Sequence, residues 1–129
     1  LLKKLPTCHR AWRVVESLYK RNPPHNRMPL KSANDRSSIY LLKNQFLFTG
    51  DSTSAQEAIW APAVRHWKHL RVYVLGHHGS RTSTSDQIVS RLRSRTMAVV
   101  SARKKRYGHP HFEVLFRLNR AKVPVLKTE

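Results

Sequence analysis

From Ser38 onward, short apolar runs alternate with segments that carry helix signals, and that alternation limits the fold. The runs are Ile39–Leu42, Phe46–Phe48, Val72–Leu75, Met97–Val100 and Val123–Leu126, each of a length suited to a buried strand. Lys43-Asn44 between the first two predicts a hairpin. Ser54-Ala55-Gln56-Glu57 has capping-box spacing and predicts a helix from Ala55 that buries Ile59, Trp60, Val64 and Trp67. Pro62 should kink or divide it, because proline offers no backbone donor. A further helix is expected around Asp86–Arg93, and another with Pro110 in its first turn, carrying Phe112, Leu115 and Leu118. Strands alternating with helices after a hairpin define the α/β class: a mixed sheet with flanking helices, and Trp60 and Trp67 at least partly in the core.

Charge then narrows the partners. The chain has 129 residues, with 25 Lys and Arg against 7 Asp and Glu, a net charge of +18. That length suits one domain, and 40% apolar residues exclude a disordered tail, so the charge decorates a folded body. Such a surface attracts nucleic acid, anionic lipid or an acidic protein, without choosing among them. No apolar run approaches the ~20 residues that span a bilayer, and Leu1-Leu2-Lys3-Lys4 does not read as a signal peptide. Cys8 is the one cysteine, which rules out an internal disulfide and a cysteine-based zinc site. Residues 1–32 are expected to be an N-terminal helix and a basic loop with no assigned role. Leu5, Cys8, Trp12, Val15 and Leu18 have helical spacing, and Arg21-Asn22-Pro23-Pro24 stops them.

The polar residues with chemical potential gather just after strands, where α/β layers place their ligand sites. Asp51 follows Phe48-Thr49-Gly50, and an Asp after Gly is more often a turn former than a ligand. Here it ends a buried-looking strand and is a rare acid in a basic chain. Gly76-His77-His78-Gly79-Ser80-Arg81-Thr82-Ser83 sets two imidazoles between small residues, suited to a metal or a phosphate. Tandem histidines are also common on ordinary surfaces, and a zinc or manganese site needs three or more ligands. Tyr107-Gly108-His109-Pro110 puts a histidine at a helix start beside Arg103, Lys104, Lys105 and Arg106. Those cations suit phosphate, although such a run is usually a solvated face. His9, His25, His66, His69 and His111 follow no pattern.

Four motifs in this order, namely Asn34-Asp35-Arg36-Ser37, Phe48-Thr49-Gly50-Asp51, the Gly-His-His-Gly segment and Tyr107-Gly108-His109-Pro110, resemble the C-terminal domain of the ComEC family. That family forms the membrane channel of bacterial DNA uptake in natural transformation, and its soluble domain is a metallo-β-lactamase-like hydrolase. The resemblance covers residues 33–129. It implies an αββα sandwich and, in complete members, a divalent-metal site (zinc or manganese) with nuclease action on the strand that is not taken up. Carried over, Asp51 is the metal-bridging carboxylate, His77 a late metal ligand with His78 as its alternative, and Asp51 with His109 the catalytic pair. Ser80, Arg81 and Ser83 join the basic run at 103–106 as the phosphate-binding set. The implied partners are DNA and the channel portion of the parent protein, with no small-molecule cofactor. The implied setting is the bacterial cell membrane, with this domain extracytoplasmic.

Two departures qualify the resemblance. No His-x-His-x-Asp-His-like run occurs, and Lys105 stands where the family often has Asn. The chain therefore reads as the second half of the domain, a fragment or a degenerate copy, and a half-site does not activate water in the usual way. The leading expectation is a DNA-uptake protein fragment related to metal-dependent nucleases and inactive alone. The alternative is a non-catalytic basic nucleic-acid-binding module. A one-metal phosphoesterase using Asp51, His77 and His109 is the third.

Overall fold

The sheet begins with the expected hairpin. Strands β1 (Tyr40–Leu42) and β2 (Phe46–Phe48) pair antiparallel about Lys43 and Asn44, both at positive φ. That is the mirror-image turn whose twist matches paired strands, closed by Gln45 N–H on Leu42 O at 2.9 Å. The structure, a computed structural model, describes residues 34, 37–102 and 104–128, with the side chains of Lys104 and Lys105 excepted. The expectations for residues 1–32 and for Arg103 lie outside the described residues.

Strands β3 (Val72–Val74), β4 (Met97–Val100) and β5 (Val125–Lys127) continue the sheet in the order β1-β2-β3-β4-β5, with β2 to β5 mutually parallel. The last strand starts later than Val123 because Pro124 has no N–H to give, although its carbonyl accepts from Ala98 N–H at 2.8 Å. Parallel neighbours require crossovers. Helix α1 (Ser54–Trp60) joins β2 to β3, and α2 (Asp86–Val89) joins β3 to β4. Helices α3 (Lys104–Tyr107) and α4 (Phe112–Arg120) lie between β4 and β5.

Register builds the core. Leu41, Leu47, Tyr73 and Ala98 are successive cross-strand partners, all buried on one face of the sheet. Trp60, Ile88, Val89, Val114 and Leu118 cover that row from the helices, each large side chain contributing about 1.5–3 kcal/mol on burial. Trp60 is buried and Trp67 packs partly buried beside it, ring centroids 6.4 Å apart. The other face carries Leu42, Phe46, Val72, Val74 and Val99, apolar and only half-buried. The chain is thus α/β with a mixed sheet and flanking helices.

Three local expectations change, and Pro62 takes one of its two expected courses. Thr53 is the N-cap of α1 and Glu57 is not a capping-box partner; its carboxylate turns instead to the loop before α2. The helix stops at Trp60 and passes into a tighter turn over Ala61–Ala63, so Pro62 divides rather than kinks it. Helix α4 starts at Phe112, leaving Pro110 outside, and it buries Val114 and Leu118 while exposing Phe112. The helix at Asp86 ends at Val89, short of Arg93.

Candidate functional site

Because β2, β3 and β4 are parallel neighbours, the loops leaving their carboxyl ends lie side by side. Asp51 leaves β2, His77 and His78 leave β3, and His109 follows β4 by way of α3. The backbone stitches these loops together. His77 N–H donates to Gly50 O at 2.8 Å, and His111 N–H donates to Gly79 O at 2.9 Å. Asp51 N–H donates to Ser37 Oγ at 3.0 Å, so the Asn34–Ser37 motif does touch the site, while Asp35 and Arg36 lie outside the described residues. Gly79 sits at φ +79° against Pro110, where an added Cβ would come 2.6 Å from the proline Cβ. Only glycine allows that approach.

His77 and His78 both hold left-handed backbone, φ 46° and 55°. Such geometry is uncommon outside glycine. His78 Nε2 faces Asp51 Oδ1 at 3.7 Å, both side chains about half exposed. His78 Nδ1 lies 2.7 Å from Ser101 O. A carbonyl only accepts, so Nδ1 carries the hydrogen and Nε2 of the neutral ring presents a lone pair towards the carboxylate. His77 packs edge-on to His109, centroids 5.9 Å apart, and His77 Nδ1 is buried without a hydrogen-bond partner among the described residues. His109 in turn meets His111 at 4.6 Å and Tyr107 at 6.1 Å. Partial burial, then the neighbouring imidazoles His111, His77 and His78, hold the His109 pKa below the ordinary histidine value, with Asp51 opposing.

An open cleft of about 500 Å³ runs along this edge, lined by His78, Ser101, Ala102, Arg106, Tyr107, His109 and Thr128. Arg106 stands over the Tyr107 ring at 5.1 Å. Ser83 is different: it is fully buried and its hydroxyl donates to Gly76 O at 2.6 Å and Ser80 O at 3.0 Å. It holds the loop from inside. Ser80 is nearly buried and shares its hydroxyl with Thr82 Oγ1 at 3.0 Å. Arg81 is exposed, and its N–H donates to His111 Nδ1 at 3.1 Å.

Three residues escaped the sequence reading. His111 belongs to the imidazole cluster; its i, i+2 spacing from His109 in a strand-end loop was the available signal. Glu57 is fully buried and accepts from Thr84 N–H and, at 2.8 Å, from Ser85 N–H, anchoring the loop that follows the histidines. Burial pushes its pKa up against those hydrogen bonds and the Arg117 charge. Tyr73 meets Thr84 Oγ1 at 3.2 Å beneath the same loop, and burial drives its phenol strongly upward.

A zinc or manganese centre needs at least three nitrogen or oxygen donors on one ion. Asp51 and His78 make a facing pair, yet among the described residues no group of three or more His, Cys, Asp or Glu side chains is placed to hold a metal ion. The described residues by themselves therefore do not make up a complete metal site.

The chain is similar to two known proteins. It is 34% identical over 125 residues to Recombination protein 2 of Haemophilus influenzae, covering 95% of this chain and 15% of that protein. It is 38% identical over 58 residues to ComE operon protein 3 of Bacillus subtilis, covering 45% of this chain and 8% of that protein. The chain thus spans only a small part of the length of either relative. Neither name speaks of a hydrolase. No family model matches, and no solved structure matches significantly.

Proposed function

We propose that the chain is a segment of a competence protein that handles DNA during uptake, built on one half of a metallo-hydrolase-like sandwich. The observation that carries this reading is that Asp51 faces His78 at 3.7 Å at the edge where His78 and His109 line one open cleft, the three residues following successive parallel strands. Its similarity to Recombination protein 2 over most of its own length supports the DNA-handling role. The half-buried apolar face of the sheet supports the half-sandwich, since a second β-layer would cover it. In this reading Arg81 and Arg106 hold phosphate at the cleft, His109 stays neutral, and Asp51 with His78 supplies two donors of a set that other parts of the parent complete. This chain alone takes DNA without cutting it. No helix among the described residues is long and apolar enough to cross a membrane, and we place the segment on the outer side of the channel of its parent.

The test is plasmid and single-strand degradation with Mn²⁺, beside DNA affinity measured across a salt series. Binding at low salt should weaken with a log–log slope of about −0.9 for each duplex phosphate contacted. Cleavage should be absent from this chain and appear, dependent on Asp51, in a longer piece of the parent protein. Cleavage by this chain that disappears in Asp51→Ala would promote the one-metal phosphoesterase. The second reading, a non-catalytic binding module, is favoured by the missing third ligand among the described residues. It wins when the longer piece also fails to cleave.

A further inference from the structure

Helix α4 hides Val114 and Leu118 in the core and turns two aromatic rings to solvent. Phe112 is 74% exposed and Phe116 52%, one helical turn apart with centroids at 5.8 Å. Tyr107, 58% exposed, stands at the cleft, and the rings of Tyr107, His109 and His111 follow one another at 6.1 and 4.6 Å up to the start of α4. Phe112 is the next residue. Half-buried imidazoles thus lead from the exposed Tyr107 at the cleft to the start of the helix that exposes Phe112 and Phe116. Cations accompany them: Arg106 lies over Tyr107 and Arg81 is tied by its backbone to His111, while Arg120, one turn after Phe116, is paired with Asp86 at 3.5 Å. Glu113 is the one acid within α4.

Large exposed aromatics cost solubility unless something uses their faces. The net charge of +18 argues for a polyanion as that partner. In duplex DNA the base faces are occupied by neighbouring bases, whereas an unpaired strand offers them freely to aromatic side chains. We propose that Tyr107, Phe112 and Phe116 form a stacking track for unpaired bases, so that the chain takes single-stranded DNA in preference to duplex. This rests on the DNA-handling reading above and adds the strand form to it. Arg106 neutralises phosphate beside the track, and the cleft receives one end of the strand.

The test compares affinity for a fluorescein-labelled thymidine homopolymer of about 20 nucleotides, longer than most single binding sites, with that for a duplex of equal length. The protein carries Phe112→Leu and Phe116→Leu, then Phe112→Trp and Phe116→Trp. Leucine keeps an apolar surface and removes the ring face, while tryptophan restores it. Single-strand affinity should fall about ten-fold for each ring lost to leucine and return with tryptophan, while duplex affinity stays level. Circular dichroism confirms folding, which exposed positions should leave intact. Equal losses on both forms, or leucine variants that bind the single strand as well as the parent does, overturn the track and leave the DNA reading standing. A change of sedimentation on Phe112→Ser and Phe116→Ser with single-strand affinity unchanged assigns the face to a second copy and also overturns it. Failure of the unaltered protein to bind either form at low salt removes both proposals.

Discussion

Glu57 is the residue on which the position of the histidine loop depends, and replacing it gives the sharpest test of the architecture. Its carboxylate accepts from Thr84 and Ser85 N–H, with Glu57 and Thr84 both fully buried. In Glu57→Ala both donors lose their partner, and each unmet buried N–H costs about 1–3 kcal/mol, or about 2–6 kcal/mol together. Relief of the carboxylate's own burial offsets part of this, so a net loss of about 2–4 kcal/mol is expected, large beside a typical total of about 5–15 kcal/mol. Glu57→Gln keeps one acceptor but sets an amide N–H₂ against the second donor, for about 1–3 kcal/mol. Urea unfolding at neutral pH measures both losses, and amide exchange at Ser83–Ser85 reports release of the loop. Acid titration adds a sign. Burial raises the folded pKa of Glu57 above its ordinary 4.5, so the folded state binds this proton more tightly. The stability it lends is fully present below about pH 4.5 and is lost as pH rises through the folded value. The advantage of the parent over Glu57→Gln should therefore narrow as pH rises through that range. A Glu57→Ala protein within about 1 kcal/mol of the parent, with Ser83–Ser85 still protected, would refute the reasoning.

Two further outcomes are expected. Gly79→Ala should destabilise by more than about 2 kcal/mol in urea, because its φ of +79° disfavours a side chain and the added Cβ meets Pro110; a loss under about 0.5 kcal/mol contradicts that packing. His109 has a pKa below the ordinary 6.5, so the stability tied to its neutral form is present above that pH and is lost as pH falls through the folded value. His109→Gln should flatten the acid limb of a urea-midpoint series, and an unchanged limb points to another group.

The sequence by itself determined the elements and their order. Short apolar runs at 40–42, 46–48 and 97–100 are strands because alternate side chains can reach one buried face, and Lys43-Asn44 tolerates the left-handed turn that joins the first two. It also placed Asp51, His77 and His78 at strand ends, since polar loops follow apolar strands there, but it read a loop where helix α3 stands between β4 and His109. Tertiary structure decided the rest. Parallel pairing, which local pattern does not encode, brings those loops to one edge. A local capping box competed for Glu57 and lost to two N–H groups 27 and 28 residues away, one buried and one partly buried. Ser83 looks the same in sequence as a cleft serine; only the folded loop shows its hydroxyl spent on Gly76 and Ser80. Helical spacing could not tell that α4 would settle on Val114 and Leu118 and leave Phe112 in water, because which stripe is buried depends on the surface the helix lands on.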